Sequence, residues 1–380
     1  MALCYAPFLH RTIYTDGTSR LCCAADRFLM RDKDYSDWNG QDYQNIRSHM
    51  INEKVLPEVC NKCRTEEELG HYPYKRTYDD LYKKLGQPRI DIETGTGLDT
   101  PISLDLRMNN LCNLSCRMCG PSASSQIEKE QKRHPELWPV PFGQSKQPTY
   151  NSYDASEIID NAGSIVDLRL LGGEPTVQPE TKAILKKLIE IGNTNIKLHI
   201  TTNGTNINRE FYNMLSKFTG FVSVIFSIDG WDKTHEYIRG PAADFKTIWK
   251  NLKKVSELSN VSELKIQQTI TILNVFDWWK LHEHNDSGCS FRVDVAHMPP
   301  KYAPTNMPED WKKLAIDLAK DNMSKANQEL TSHVATLISE KGDPRLLKGM
   351  LQYTDMMDSI RGQYAEDHCP TTYKMLKEIN

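Results

Sequence analysis

"LDLRMNNLCNLSCRMCGPS", residues 104–122, ends an apolar run with three cysteines in eight residues. Cys112, Cys116 and Cys119 are one thiol short of a closed tetrahedral metal site. Soft thiolates suit zinc or an iron–sulfur cluster, and a structural zinc normally takes a fourth protein ligand. Three ligands leave a coordination position open for something else. The loop also follows a strand-like run, and α/β proteins place their ligands at the carboxyl ends of parallel strands.

Working outward, the same kind of run recurs. "ISLDLRM" (102–108), "IVDLRLLG" (165–172), "IKLHITT" (196–202), "FVSVIFSID" (221–229), "LKIQQTITIL" (264–273) and "FRVDVAHM" (291–298) are apolar and rich in β-branched residues. Helical spacing fills residues about 122–133, 179–192, 208–218, 244–258 and 276–286 between them. Strands alternating with helices predict an α/β fold on a parallel sheet. Periodicity leaves open whether six strands form a doubly wound sheet or a partial barrel.

Residues 1–90 differ in character, being cysteine-rich and then charged and tyrosine-rich, so they are expected to form a small module of their own. The strand–helix region spans about 100–300, and 301–380 reads as a helical extension. A proline-rich segment, residues 134–153, is long for a connection and is expected to be a functional loop or insertion.

Lys and Arg total 47 against 50 Asp and Glu, so no global basic field invites nucleic acid. No stretch has the roughly 18 consecutive apolar residues of a membrane helix, and nothing resembles a secretory signal. The expectation is a soluble, cytoplasmic protein, where ten cysteines are poor disulfide candidates. They fall instead into two groups and two singletons, Cys289 and Cys369, which are read as buried thiols.

The Cys112-x3-Cys116-x2-Cys119 spacing resembles the signature of the radical S-adenosylmethionine (SAM) superfamily. In that family the three cysteines hold a [4Fe–4S] cluster whose fourth iron binds SAM. Three later stretches fall where the resemblance requires them: "LLGGEPT" (170–176), "TTNGT" (201–205) and "SIDGWDKTHEYIRG" (227–240). Singly, these are ordinary turns or surface residues; their order at successive strand ends is what makes the resemblance specific. It implies the barrel alternative, a partial (β/α)6 TIM-type barrel. It also implies that Gly172, Gly173 and Glu174 receive the SAM amino group, that Asn203 and Ser227 face the ribose, and that Arg239 pairs with the methionyl carboxylate. Met118 stands where the family often has an aromatic residue and can pack against adenine.

The amino-terminal thiols form a second set. "HRTIYTDGTSRLCC" (10–23) reads as a β-hairpin turning at Asp-Gly. With Cys4, Cys22, Cys60 and Cys63 it supplies four ligands, enough for zinc or for a cluster. The Cys4-x12-Gly17-x4-Cys22 pattern resembles the opening of SPASM and Twitch modules, which carry auxiliary [4Fe–4S] clusters. That resemblance favours a second cluster over zinc, with Cys23 as an alternative to Cys22. The Glu run in "CRTEEELGHYPYKR" (63–76) reads as a solvated helix face.

Together the resemblances imply SAM, two [4Fe–4S] clusters and a flavodoxin- or ferredoxin-type electron donor. The implied activity is reductive cleavage of SAM to a 5′-deoxyadenosyl radical, followed by hydrogen abstraction from a substrate carbon. A peptide or protein substrate is expected, with the auxiliary cluster accepting an electron. Small-metabolite chemistry and a non-catalytic metal-binding role are the alternatives. Asp229 and Glu174 are weak candidates for a base.

Overall fold

In the computed structural model, residues 3–26, 29, 36–86, 98–136 and 154–379 are described. The chain folds as two compact units. The first is built from residues 1–110, 148–200 and 213–222, and the second from 111–147, 201–212 and 223–380.

Five strands make the sheet of the first unit: β1 (His10–Ile13), β2 (Ser19–Arg20), β3 (Ser103–Leu106), β4 (Asp167–Leu170) and β5 (Lys197–Thr202). Their order is β2-β1-β3-β4-β5. The β1–β2 pair is the expected hairpin, antiparallel, with Thr12 opposite Arg20. Its turn needs Gly17 at φ +79°, and Asp16 Oδ1 accepts bonds from the Thr18 amide and hydroxyl. β1 then pairs parallel to β3, and β3 to β4 to β5 likewise. The amino-terminal segment therefore supplies two strands to the same sheet, and no boundary of the compact unit falls near residue 90. β3 is buried along its whole length, as a strand covered on both faces must be, whereas β5 alternates buried and half-buried positions.

The second unit carries β6 (Val222–Ser227), β7 (Val261–Ile270) and β8 (Ser290–Val295), in the order β6-β7-β8. β7 and β8 are parallel. All six strands expected from the sequence are present. Within each unit the parallel strands follow chain order without the reversal that defines a doubly wound sheet, which favours the barrel-type winding.

Helices Ser125–Arg133, Pro179–Glu190, Arg209–Leu215 and Phe245–Ser256 stand close to where the spacing puts them. The stretch 276–286 differs. Asp277 and Lys280 donate three residues back, to Asn274 and Asp277, so a chain of turns replaces most of the expected helix and only Lys280–Glu283 is helical. The carboxyl-terminal helices Glu309–Asn322, Gln328–Ile338, Met350–Arg361 and Pro370–Ile379 share one core with β7 and β8, through Ile270, Val293, Val295, Trp311, Val334, Met350 and Leu376. Cys289 and Cys369 are buried, as expected. Most of the 134–153 insertion lies outside the described residues. No helix among the described residues is long and apolar enough to cross a membrane.

Candidate metal and cofactor site

In the second unit the three-cysteine loop is stapled at the start of helix Ser125–Arg133. Ser124 caps the helix, accepting the Ile127 amide, and its hydroxyl donates to the Leu114 carbonyl at 2.6 Å. Ser125 exchanges bonds with the Cys112 amide and carbonyl. The Cys119 amide donates to the Cys116 carbonyl at 3.0 Å, a tight turn that brings those two thiols together. Cys112 and Cys116 are buried and Cys119 is partly exposed. Burial and the neighbouring Cys116 push the Cys119 thiol up to about 12.

Two polar side chains point at this sulfur group. The Asn203 amide lies 3.9 Å from Cys112 Sγ, and Arg239 NH1 lies 3.9 Å from Cys116 Sγ. Burial raises the Cys116 pKa, and Arg239 opposes that. Gly240, at φ +96°, lets the loop approach, because a side chain there would meet Ser115 Oγ at 2.5 Å. Ser227 ends β6 half-buried in the same unit.

Arg239 and Asp229 turn out to be partners. Arg239 Nε donates to Asp229 Oδ2 at 2.6 Å, while Asp229 Oδ1 accepts the Thr269 amide at 3.0 Å. Burial alone would lower the pKa of Arg239, but Asp229 and Cys116 outweigh it and keep the guanidinium charged. With both oxygens engaged and its side chain wholly buried, Asp229 holds the Arg239 guanidinium in place. Arg239 keeps N–H groups beyond the Nε–H given to Asp229.

One feature has no signal in the sequence. Arg117, inside the cysteine loop, is almost fully buried. It donates through Nε to the Tyr237 carbonyl and through NH2 to Asp358 Oδ1 at 2.6 Å, and it stacks 3.7 Å over the Tyr237 ring. Asp358 also accepts the Tyr237 hydroxyl and the Ala365 amide. The carboxyl-terminal helix Met350–Arg361 thus holds the cysteine loop from 241 residues away. Met118 packs against the same core.

The first unit holds the other candidate residues. Gly172 and Gly173 adopt φ +73° and +57°, and a side chain at 172 would lie 2.5 Å from Arg107 Cβ. Glu174 is buried, and its Oε1 accepts the Thr176 amide and hydroxyl. It braces its own turn.

Cys4, Cys22, Cys60 and Cys63 line one internal space, with Lys75 and Tyr78 at its wall. Cys22 is in this group, whereas Cys23 is exposed. Burial, then Cys22 and Cys60, push the Cys4 thiol well up; burial and Cys63 push Cys60 to about 12. Thiols that raise one another's pKa are near neighbours, and they ionise together only around a cation. Among the described residues no three His, Cys, Asp or Glu side chains converge as for a single metal ion.

Residues 106–286 match the radical SAM superfamily. Just under half of this chain is thus similar to that superfamily. Its similarity to a curated protein, the sporulation killing factor maturation protein SkfB of Bacillus subtilis (strain 168), is 29% identity over 207 residues, 54% of this chain and 44% of that protein. The chain spans less than half the length of that relative. Among solved structures, anSMEcpe with bound AdoMet is 17% identical over 56% of this chain and 55% of its own, with a TM-score of 0.39. SuiB of Streptococcus suis bound to precursor peptide SuiA is 16% identical over 76% and 62%, with a TM-score of 0.36.

Proposed function

We propose that this chain is a radical SAM enzyme that removes a hydrogen atom from a carbon of a peptide or protein substrate, with a second cluster passing on the electron that follows. The observation that carries the reading is the loop of three thiols with Asn203 and Arg239 turned toward its sulfurs. Cys112, Cys116 and Cys119 would hold a [4Fe–4S] cluster, which together with SAM would supply the radical chemistry needed to attack an unactivated C–H bond. Asp229 fixes the Arg239 guanidinium, and Arg239 keeps positive charge beside a thiolate and presents its spare N–H groups to a carboxylate. Gly172 and Gly173 give the backbone a close approach that no side chain permits.

The four amino-terminal thiols would supply a ligand to each iron of a cubane and leave none for substrate, so electron transfer is the role such a cluster would take. The relative's name, that of a maturation protein, supports a peptide or protein substrate over a metabolite. The test is anaerobic reconstitution with iron and sulfide, reduction by dithionite, and assay for 5′-deoxyadenosine. No SAM cleavage in a sample carrying its cluster rejects the enzyme reading. Turnover of sugars or amino acids, with none of a co-encoded peptide, rejects the substrate class.

A further inference from the structure

Behind the Arg239–Asp229 pair, within the second unit, lies an open groove of about 780 Å³ that the chemistry above does not use. One wall is helix Phe245–Ser256, which buries Phe245, Ile248, Leu252 and Val255 and turns its lysines outward. Lys246 and Lys250 are exposed and have no carboxylate partner among the described residues. Lys253 is paired with Asp286 at 2.6 Å, and Lys254 leans on the Ile207 carbonyl and the Tyr212 ring. Asp232 and Glu257 are the acidic groups of the lining, so the groove is net basic.

The same helix contributes Phe245 and Trp249 to the lining, and Trp231 packs beside them. The Trp231 ring lies 4.9 Å from Phe245 and 5.2 Å from Trp249, and Phe245 lies 5.7 Å from the His235 ring. His235 Nδ1 accepts the Asp229 amide at 3.2 Å. Asp229 meets Arg239 at 2.6 Å, and Arg239 reaches Cys116 Sγ at 3.9 Å. An unbroken series of packed contacts therefore runs from the floor of the groove to a cluster thiol.

We propose that this groove docks an acidic one-electron donor protein, of flavin or iron–sulfur type, which reduces the cluster held by Cys112, Cys116 and Cys119. The inference rests on the proposed function. One electron leaves the donor and enters the cluster, and no bond or proton moves. Unpaired lysines steer an acidic partner, and half-buried tryptophans give it an apolar contact. An acidic substrate segment fits the charge equally, but the series of contacts ending on a cluster thiol favours the donor.

The experiment titrates the reconstituted protein with oxidised flavodoxin by calorimetry, then follows bleaching of the cluster by reduced flavodoxin. Wild type should bind, more weakly as salt rises. Lys246→Glu with Lys250→Glu should weaken binding about tenfold and slow reduction by flavodoxin to match. Reduction by dithionite should stay unchanged in that variant, and Lys246→Gln with Lys250→Gln should fall between, which separates docking from misfolding. Equal flavodoxin affinity in wild type and the Glu variant overturns the proposal. So does a polyglutamate peptide that binds the groove where flavodoxin does not. Failure of dithionite-reduced protein to cleave SAM rejects the enzyme reading instead, and the titration still judges the groove.

Discussion

The two thiol groups of this chain are built on opposite plans. The amino-terminal four converge on one internal space walled by Leu56, Tyr78, alanines and the ion-paired Lys75. The Cys112–Cys119 loop has only three thiols, but an amide and a guanidinium are turned toward them, and a buried Arg–Asp pair sits beneath. Under the proposed function, four thiols would complete a cluster and shield it, whereas three thiols with polar neighbours would leave one position unfilled and supply donors beside it. The difference would be that between a closed electron-transfer centre and an open reactive one.

The largest effects should come from removing each group in turn. Wild type reconstituted anaerobically should hold about eight irons and eight sulfides per chain, from two cubanes. Changing Cys112, Cys116 and Cys119 to Ala should leave about four irons and abolish SAM cleavage. Changing Cys60 and Cys63 to Ala should leave SAM cleavage intact while modified product disappears. Iron analysis, 5′-deoxyadenosine assay and mass spectrometry read these out. Zinc in place of iron in the triple-alanine variant would break the comparison, and so would full product from a soluble Cys60/Cys63 variant.

A smaller effect is expected at Asp358. Changing it to Ala strands a buried Arg117 charge, and breaking such a pair costs about 3–5 kcal/mol. Denaturant unfolding of the metal-free chain should show that loss, with Asp358→Asn less affected because its shape and one acceptor remain. On reconstitution the Ala variant should lose iron from the three-cysteine loop and keep it at the amino-terminal group. Equal loss at both would mean that Asp358 serves overall folding and not the loop.

What was legible in the sequence follows the range of each interaction. The six strands could be read because buried parallel strands are written as continuous apolar runs, and the hairpin because Asp16-Gly17 sets its turn locally. Cysteine spacing marked both thiol groups: Cys112, Cys116 and Cys119 share one loop, and the close pair Cys60 and Cys63 is joined by Cys4 and Cys22 from far upstream. The sequence is silent on partners set by the fold. Nothing in "HRTI" says that β1 will pair with Ser103–Leu106, and nothing beside Cys116 says that Arg117 will find Asp358. The groups that Asp229 and Glu174 meet, Arg239 and Thr269 in one case and Thr176 in the other, come from the fold and the turn. Long-range polar pairing leaves no periodic trace.

The smallest predicted effect bears most directly on the comparison. Hydrogen bonds to cluster sulfurs raise a reduction potential, because they stabilise the more negative, reduced state. The Asn203 amide lies 3.9 Å from Cys112 Sγ, a weak contact, and also holds Asn113 Oδ1 at 2.9 Å. A bond of that kind is worth about 0.5 kcal/mol, which for one electron is ~20 mV. Asn203→Ala should therefore lower the potential of the Cys112–Cys119 cluster by about 20 mV and leave the amino-terminal cluster where it was. Asn203→Asp tests the sign, since a carboxylate beside the sulfur should lower the potential further. Redox titration followed by electron paramagnetic resonance resolves the two clusters. If Asn203→Ala moves both potentials equally, or neither, the polar contacts at the three-thiol loop do not tune it. The distinction between the two centres would then rest on ligand number alone.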